Sequence, residues 1–401
     1  MSTAIHAYLA AFAAKLLPSE CRDDHDLAWV VARKGPQGAK FKACYRDPSG
    51  AERSAGTYPS RRAAERAGQR EEQRIREGRW HDYSLGATTF HEYVEKTWLP
   101  SKHIELTTRA AYHSNLAKHF FPFFGDRPMA RILPSNVQEW VTMATAHGLA
   151  PRSVRKYHVM LHSIFQRAVR DQLILTNPCE HTELPKVVLR RSRTLTPEEF
   201  DQLIQAIPER HRLMVETAIE TGMRWGELIA IRPRHIDFLR RQLTVEETII
   251  EVSKRHSPTG ERMIVKPYPK DNEARTFGVR EQWLEAIAEH ISSRGLGRDA
   301  LLFATEAQTP ISRNTFRTRV WLPAVRASGL DFNVRMHDLR HAHASWLLAG
   351  GADLEGVMER MGHAQIQTTQ KYLHTLPDGD KKNLDAFTRV ADRRTRTPGT
   401  S

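Results

Sequence analysis

The sequence predicts a multidomain, mostly α chain with a small three-stranded β plus helix unit in front, an all-helical middle and an α+β unit at the end. Three observations carry that expectation. At 401 residues the chain is long enough for two or three separate cores. Apolar residues recur at helical spacing through residues 84–180 and again from residue 196 onward. Alternation of period two, the mark of a half-buried strand, appears within residues 28–58 and 243–279.

The front unit spans residues 1–83. Its first twenty residues (MSTAIHAYLAAFAAKLLPSE) hold an apolar stretch with Lys15 behind it and no positive region before it, so they read as an amphipathic helix rather than a signal peptide. Short strands follow at residues 28–31, 41–45 and 52–58, separated by the turn signals Lys34-Gly35-Pro36 and Asp47-Pro48-Ser49-Gly50. Ser60 opens a long polar helix that stops at Gly78. Residues 28–80 carry thirteen Lys/Arg against six Asp/Glu, which suits either phosphate contacts or a solvated helix on an auxiliary domain.

Residues 84–180 read as helical throughout. Phe90, Tyr93, Val94 and Trp98 keep helical spacing until Pro100. Thr107 and Thr108 are expected to cap the next helix, with Tyr112, Leu116, His119 and Phe120 on one side. A third helix covers residues 136–143. Pro151 suits a first helical position, and Val154, Tyr157, Leu161, Ile164, Phe165 and Ala168 form a stripe that ends at Asn177-Pro178. Residues 181–193 form a basic linker, either a strap across a polyanion or an exposed tether.

The last unit, residues 194–390, opens on the capping box Thr196-Pro197-Glu198-Glu199, followed by Phe200, Leu203, Ile204 and Ile207. A helix over 211–220 leads into Gly222 and Arg224. A three-stranded antiparallel sheet is expected from Leu243, Val245 and Glu247, then residues 263–268, then 275–279. The insert KRHSPTGER joins its first two strands, and Lys270-Asp271-Asn272 turns between the last two. Helices follow over 280–293, 314–328 and from residue 337, and residues 391–401 are a tail.

A net charge of +13 and a pI near 9.8 favour a polyanionic partner. No apolar run approaches the ~20 residues that span a bilayer, so no membrane role is expected. Cys21, Cys44 and Cys179 are odd in number and far apart, which argues against a disulfide framework or a zinc cluster and fits a cytoplasmic protein.

Residues 337–372, HDLRHAHASWLLAGGADLEGVMERMGHAQIQTTQKY, hold the chemistry. His337 and Arg340 are three apart and share a helical face; His363 follows Gly362, and Tyr372 stands nine residues further on. With Arg224 in TGMRWGEL this set suits a phosphate and a nucleophile. In that combination the chain resembles the tyrosine recombinases of the phage integrase type, over roughly residues 85–390. Their signature is an early arginine, His-x-x-Arg, Gly-His and a tyrosine nine residues later.

The resemblance implies an arm-binding front domain, a helical core-binding domain and a catalytic domain. Two guanidinium forks, on Arg224 and Arg340, would meet the phosphate oxygens that many nucleases meet with a metal, so no cofactor or metal is expected. Tyr372 would attack and form a 3′-phosphotyrosyl link, with His337 or His363 moving the proton. Lys270 matches the family's mobile lysine, the acid for the leaving 5′-oxygen, although YPKDNEAR departs from the commoner turn and Lys266 is four residues away. Glu227 is expected to brace a basic neighbour. The three histidines His337, His341 and His343 imitate a metal site, but Asp338 stands where a zinc protease would carry glutamate.

Double-stranded DNA and a homotetramer on it are the implied partners, with a DNA-bending host factor and an excisionase as optional accessories. Competing readings are a host-type resolvase, which would normally lack the front domain, a monomeric type IB topoisomerase, and a DNA-binding regulator that has lost activity.

Overall fold

The computed structural model describes residues 28–35, 38–80, 82, 85–188, 193–268 and 274–362. The expectations for the first twenty residues, for the turn holding Lys270 and for the chain beyond Gly362 lie outside them. Contacts divide the chain into two units. One draws on Met1–Trp98, Phe124–Gly148 and Lys156–Glu183; the other draws on Leu99–Phe123, Leu149–Arg155 and Leu184–Ser401. The mostly helical architecture with a small front sheet agrees with the expected class.

In the first unit, β1 (Ala28–Gly35), β2 (Gly38–Arg46) and β3 (Glu52–Tyr58) form an antiparallel sheet in sequence order. Helix α1 (Arg61–Arg76) starts where Ser60 accepts the Ala63 N–H at 3.3 Å. Ala43, Ala64 and Ala67 are buried, with Val30, Phe41, Ala55 and Tyr58 packed against them. The helix lies so near the sheet that a Cβ on Gly68 would come within 2.9 Å of the Ala28 Cβ. Because strand residues alternate and Ala28 and Val30 face α1, the register leaves Trp29, Val31, Arg33, Lys40, Lys42 and Arg46 on the other side. The Arg46 guanidinium carbon sits 5.6 Å from the centre of the Trp29 ring.

The helical elements follow the expected stripes. Helix α2 (Phe90–Tyr93) buries Phe90 and Tyr93, and the chain winds on through Trp98, whose indole N–H donates to the Ser163 carbonyl at 3.2 Å. Helix α3 (Leu106–Asn115) begins earlier than its threonines suggested. Glu105 is at the cap and makes no side-chain cap bond, so Thr107 and Thr108 fall inside the first turn. Helices α4 (Pro134–Ala146) and α5 (Pro151–Arg170) come next, and Leu161, Ile164, Phe165 and Ala168 on α5 are fully buried.

The second unit has the large core. Helix α6 (Pro197–Ala206) carries both halves of the expected capping box: the Glu199 N–H donates to Thr196 Oγ1 at 3.2 Å and the Thr196 N–H to Glu199 at 2.9 Å. Helices α7 (Glu209–Thr221) and α8 (Trp225–Leu228) flank Gly222 and Arg224. The three-stranded antiparallel sheet exists with a different membership: β4 (Ile236–Asp237), β5 (Gln242–Val245) and β8 (Arg275–Gly278), in the order β4-β5-β8. The strand over 263–266 pairs elsewhere. The expected run through Glu247 breaks after Val245, so β6 (Thr248–Glu251) and β7 (Met263–Lys266) form their own antiparallel ribbon across the insert. Helices α9 (Glu281–Arg294), α10 (Arg313–Phe316), α11 (Leu322–Ala327), α12 (Met336–Ala349) and α13 (Leu354–Met361) complete the unit.

Candidate active site

Gly222 closes α7 in the left-handed region, at φ +62°. Only glycine enters that region cheaply, and here nothing larger fits: a Cβ would lie 2.5 Å from His343 Cδ2 and 3.0 Å from the Met361 sulfur. The sharp exit delivers Arg224 to the start of α8, where Glu227 accepts the Arg224 N–H at 2.9 Å. Glu227 is 1% exposed. Its carboxylate also receives Arg224 Nη1 at 3.1 Å and Arg275 Nη2 at 2.6 Å, so it does brace basic neighbours. Burial pushes its pKa up, but the bonds and charges of Arg275 and Arg224 outweigh that and hold the carboxyl below its ordinary value.

Helix α12 supplies the second arginine. Asp338 in its first turn accepts the Arg335 N–H at 2.8 Å, a favourable place for a carboxylate at a helix start. One turn in, Arg340 is buried, with Nη1 donating to the Gly222 carbonyl at 2.7 Å and Nη2 to the Met361 carbonyl. Arg224 Nη2 donates to the next carbonyl, Gly362, at 2.8 Å. The two guanidinium groups singled out in the sequence therefore converge on consecutive peptide units, immediately before His363.

His337 lines the same groove as Arg224, a cavity of about 860 Å³ whose wall also includes Lys266, Tyr268, Arg313 and Arg317. Burial, then the neighbouring His341 and Arg340, pushes the His337 pKa down to about 4, so the ring is neutral at pH 7. Its ring meets His341 edge-on with centroids 4.7 Å apart. His343 serves the frame. Its Nδ1 must donate to the Ile219 carbonyl at 2.7 Å, which leaves Nε2 to accept from Arg360 Nε at 3.0 Å. Burial, reinforced by Arg360, drives its pKa to about 3.

Of the six expected groups, Arg224, His337 and Arg340 are thus brought together, while Lys270, His363 and Tyr372 lie outside the described residues. Lys266, the other candidate acid, is ion-paired with Glu105, and its ammonium stands 5.1 Å from the Tyr268 ring centre. Sequence reasoning missed Arg275, Arg313 and Arg317. Only Arg275 left a signal, five residues after Lys270 at the entry to a strand. Among the described residues, His235, Glu246 and Glu247 bring their ligand atoms within 4.8 Å of one another, a group also missed; Arg232 and Arg234 already bond Glu247.

The family described as "Phage integrase family" matches residues 193–378, and "Phage integrase, N-terminal SAM-like domain" matches residues 89–143. The integrase of Mycobacterium phage D29 is 28% identical over 72% of this chain and 75% of its own length. The Tn1549 transposon integrase in complex with transposon right end DNA superposes with a TM-score of 0.63 at 17% identity, over 76% of this chain and all of that one. A lambda integrase tetramer bound to a Holliday junction gives a TM-score of 0.55 at 24% identity, over 88% of this chain and 96% of that chain. At those identities the two structures speak for the fold.

Proposed function

The chain belongs to the phage integrase family of tyrosine recombinases, and from that premise we propose that it cuts and rejoins DNA at specific sites through a 3′-phosphotyrosyl intermediate on Tyr372. The observation that carries the proposal is the convergence of Arg224 and Arg340 beside a neutral His337, at the point where the Gly-His motif begins.

In this reading the two guanidinium forks take the non-bridging oxygens of the scissile phosphate, on which charge builds during attack. Tyr372 attacks phosphorus and its proton passes to His337 or His363. Lys270 protonates the departing 5′-oxygen. The new phosphodiester keeps the energy of the old one, so the 5′-hydroxyl of a partner duplex rejoins without ATP. Exchange between two duplexes uses four active sites, hence a homotetramer, as the lambda integrase forms on a Holliday junction. Cleavage itself needs no metal.

The proposed layout is an arm-binding domain over 1–83, a core-binding domain over 84–180, a linker over 181–193, a catalytic domain over 194–390 and a tail. Support for the first is the sheet face that carries Arg33, Lys40, Lys42 and Arg46, since a sheet can enter a major groove about 12 Å wide. None of the described helices is long and apolar enough to cross a membrane, and work on cellular DNA fits the cytoplasm. The front domain favours the integrase of a phage or mobile element over a host resolvase.

The test starts by sequencing the junctions this element leaves, which defines its core site. A nicked suicide substrate of that site should then trap a covalent protein–DNA adduct in excess EDTA. Tyr372→Phe should bind the site with near-native affinity and form none. An adduct that needs Mg²⁺, or that survives the phenylalanine, overturns the mechanism.

A further inference from the structure

Three consecutive carbonyls at the end of α13 each accept from an arginine of a different element. Arg360 O receives Arg275 Nε at 3.0 Å, Met361 O receives Arg340, and Gly362 O receives Arg224 Nη2 at 2.8 Å. The phosphate chemistry above uses the last two arginines and assigns nothing to the first. Yet all three nitrogens of the Arg275 guanidinium are aimed at this corner. Nη1 and Nη2 hold the Glu227 carboxylate at 3.3 and 2.6 Å, and that same carboxylate holds Arg224. Gly362, at φ +59°, packs directly on the Arg275 side chain: a Cβ there would meet Nη1 at 3.1 Å and Cδ at 3.2 Å.

A buried ion pair is weak evidence for stability, because desolvating both charges offsets most of their attraction. A two-pronged pair with a third bond to a carbonyl does fix geometry. We propose that Arg275 is a positioning residue for strand cleavage, an inference that rests on the recombinase reading. It ties the carboxylate that orients Arg224 to the carbonyl where α13 ends, so the phosphate cradle and the start of the segment carrying His363 and Tyr372 keep one register. Lysine cannot replace it, since one ammonium cannot present a planar fork and a side-on donor together. Reacting groups displaced by about 1 Å lose on the order of 100-fold in rate, which sets the size of the effect.

The experiment is single-turnover cleavage of the nicked suicide substrate by the full chain at saturating DNA, for the unmodified protein, Arg275→Lys and Arg275→Gln. Cleavage should fall about 100-fold in both variants, with core-site Kd within about twofold and the melting midpoint of the lysine variant nearly unchanged. A 5′-bridging phosphorothiolate, whose sulfur leaves without an acid, should not restore the rate. In a Glu227→Gln background the lysine change should add less than about threefold, because both residues act through one ion pair. Sulfur rescue would reassign Arg275 to the leaving group and overturn the inference. So would cleavage by Arg275→Lys within threefold of the unmodified chain, or a loss that merely tracks DNA binding and melting. If the unmodified chain forms no adduct, the recombinase reading falls and this inference with it; a normal unmodified chain beside an unaffected lysine variant removes the inference alone.

Discussion

Gly222→Ala should damage both the stability and the chemistry of the second unit. Two separable costs add at this position. Placing a β-carbon at φ +62° costs about 1–2 kcal/mol. The new methyl would also sit 2.5 Å from His343 Cδ2, and the ring cannot step aside without breaking its bonds to Ile219 and Arg360. Forcing an extra group into a packed interior costs about 1–3 kcal/mol more. The total of about 2–5 kcal/mol corresponds to a fall of on the order of 10 °C in the melting transition of a unit this size. Gly295→Ala is the control. Gly295 closes α9 at φ +57°, and a methyl added there would have nothing within 4 Å, so it should show the backbone cost alone. Scanning calorimetry of the full chain compares the two. Equal shifts for both variants would refute the steric argument. A Gly222→Ala protein that melts within about 2 °C of the parent would refute the whole estimate. Because the Gly222 carbonyl accepts from Arg340, cleavage should fall as well.

Three further outcomes are expected. His343 has a folded pKa near 3 against 6.5 unfolded, so its contribution is present above pH 6.5 and is lost as pH falls toward 3, by about 2 kcal/mol at pH 5; His343→Gln, which keeps a donor and an acceptor, should lose that much less between pH 7 and pH 5 in urea titrations, and an equal loss would sink the assignment. Lys270→Ala should fail on ordinary DNA and recover on the 5′-phosphorothiolate, whereas Lys266→Ala, whose ammonium is held by Glu105, should not show that pattern; rescue of Lys266→Ala instead makes Lys266 the acid. A fragment of residues 1–83 should footprint on sequences flanking the core, and replacing Lys40 and Lys42 by alanine should flatten its log–log salt slope by about 2; a fragment that binds no DNA at low salt ends the arm-binding proposal.

Local signals were readable in the sequence and pairing choices were not. The Thr196 capping box and the stripe on α5 depend on residues within a turn or two of each other, and the structure reproduces them. Strand partners depend on segments tens of residues apart. Leu243, Val245 and Glu247 alternate cleanly, but alternation fixes a face and not a neighbour. Here Glu247 leaves the ladder to take Arg232 and Arg234, and that break frees the next four residues to pair across the insert. The two-residue strand β4 is too short to leave any periodicity at all.

The site divides along the same line. His337 and Arg340 are visible because three-residue spacing on a helix puts both at one corner, and Arg224 because a glycine and an apolar helix frame it. What holds them is written in bonds from side chains to backbone. Arg340 to Gly222 and Met361, Arg224 to Gly362, and Arg275 to Arg360 are all arginine-to-carbonyl contacts. Every residue offers a carbonyl, so such a bond imposes no side-chain pattern on its acceptor. Glycine alone gives it away, where close approach or a positive φ forbids anything larger, as at Gly222 and Gly362. The glycine of the Gly-His motif therefore reports on the arginines packed around it as much as on the histidine that follows.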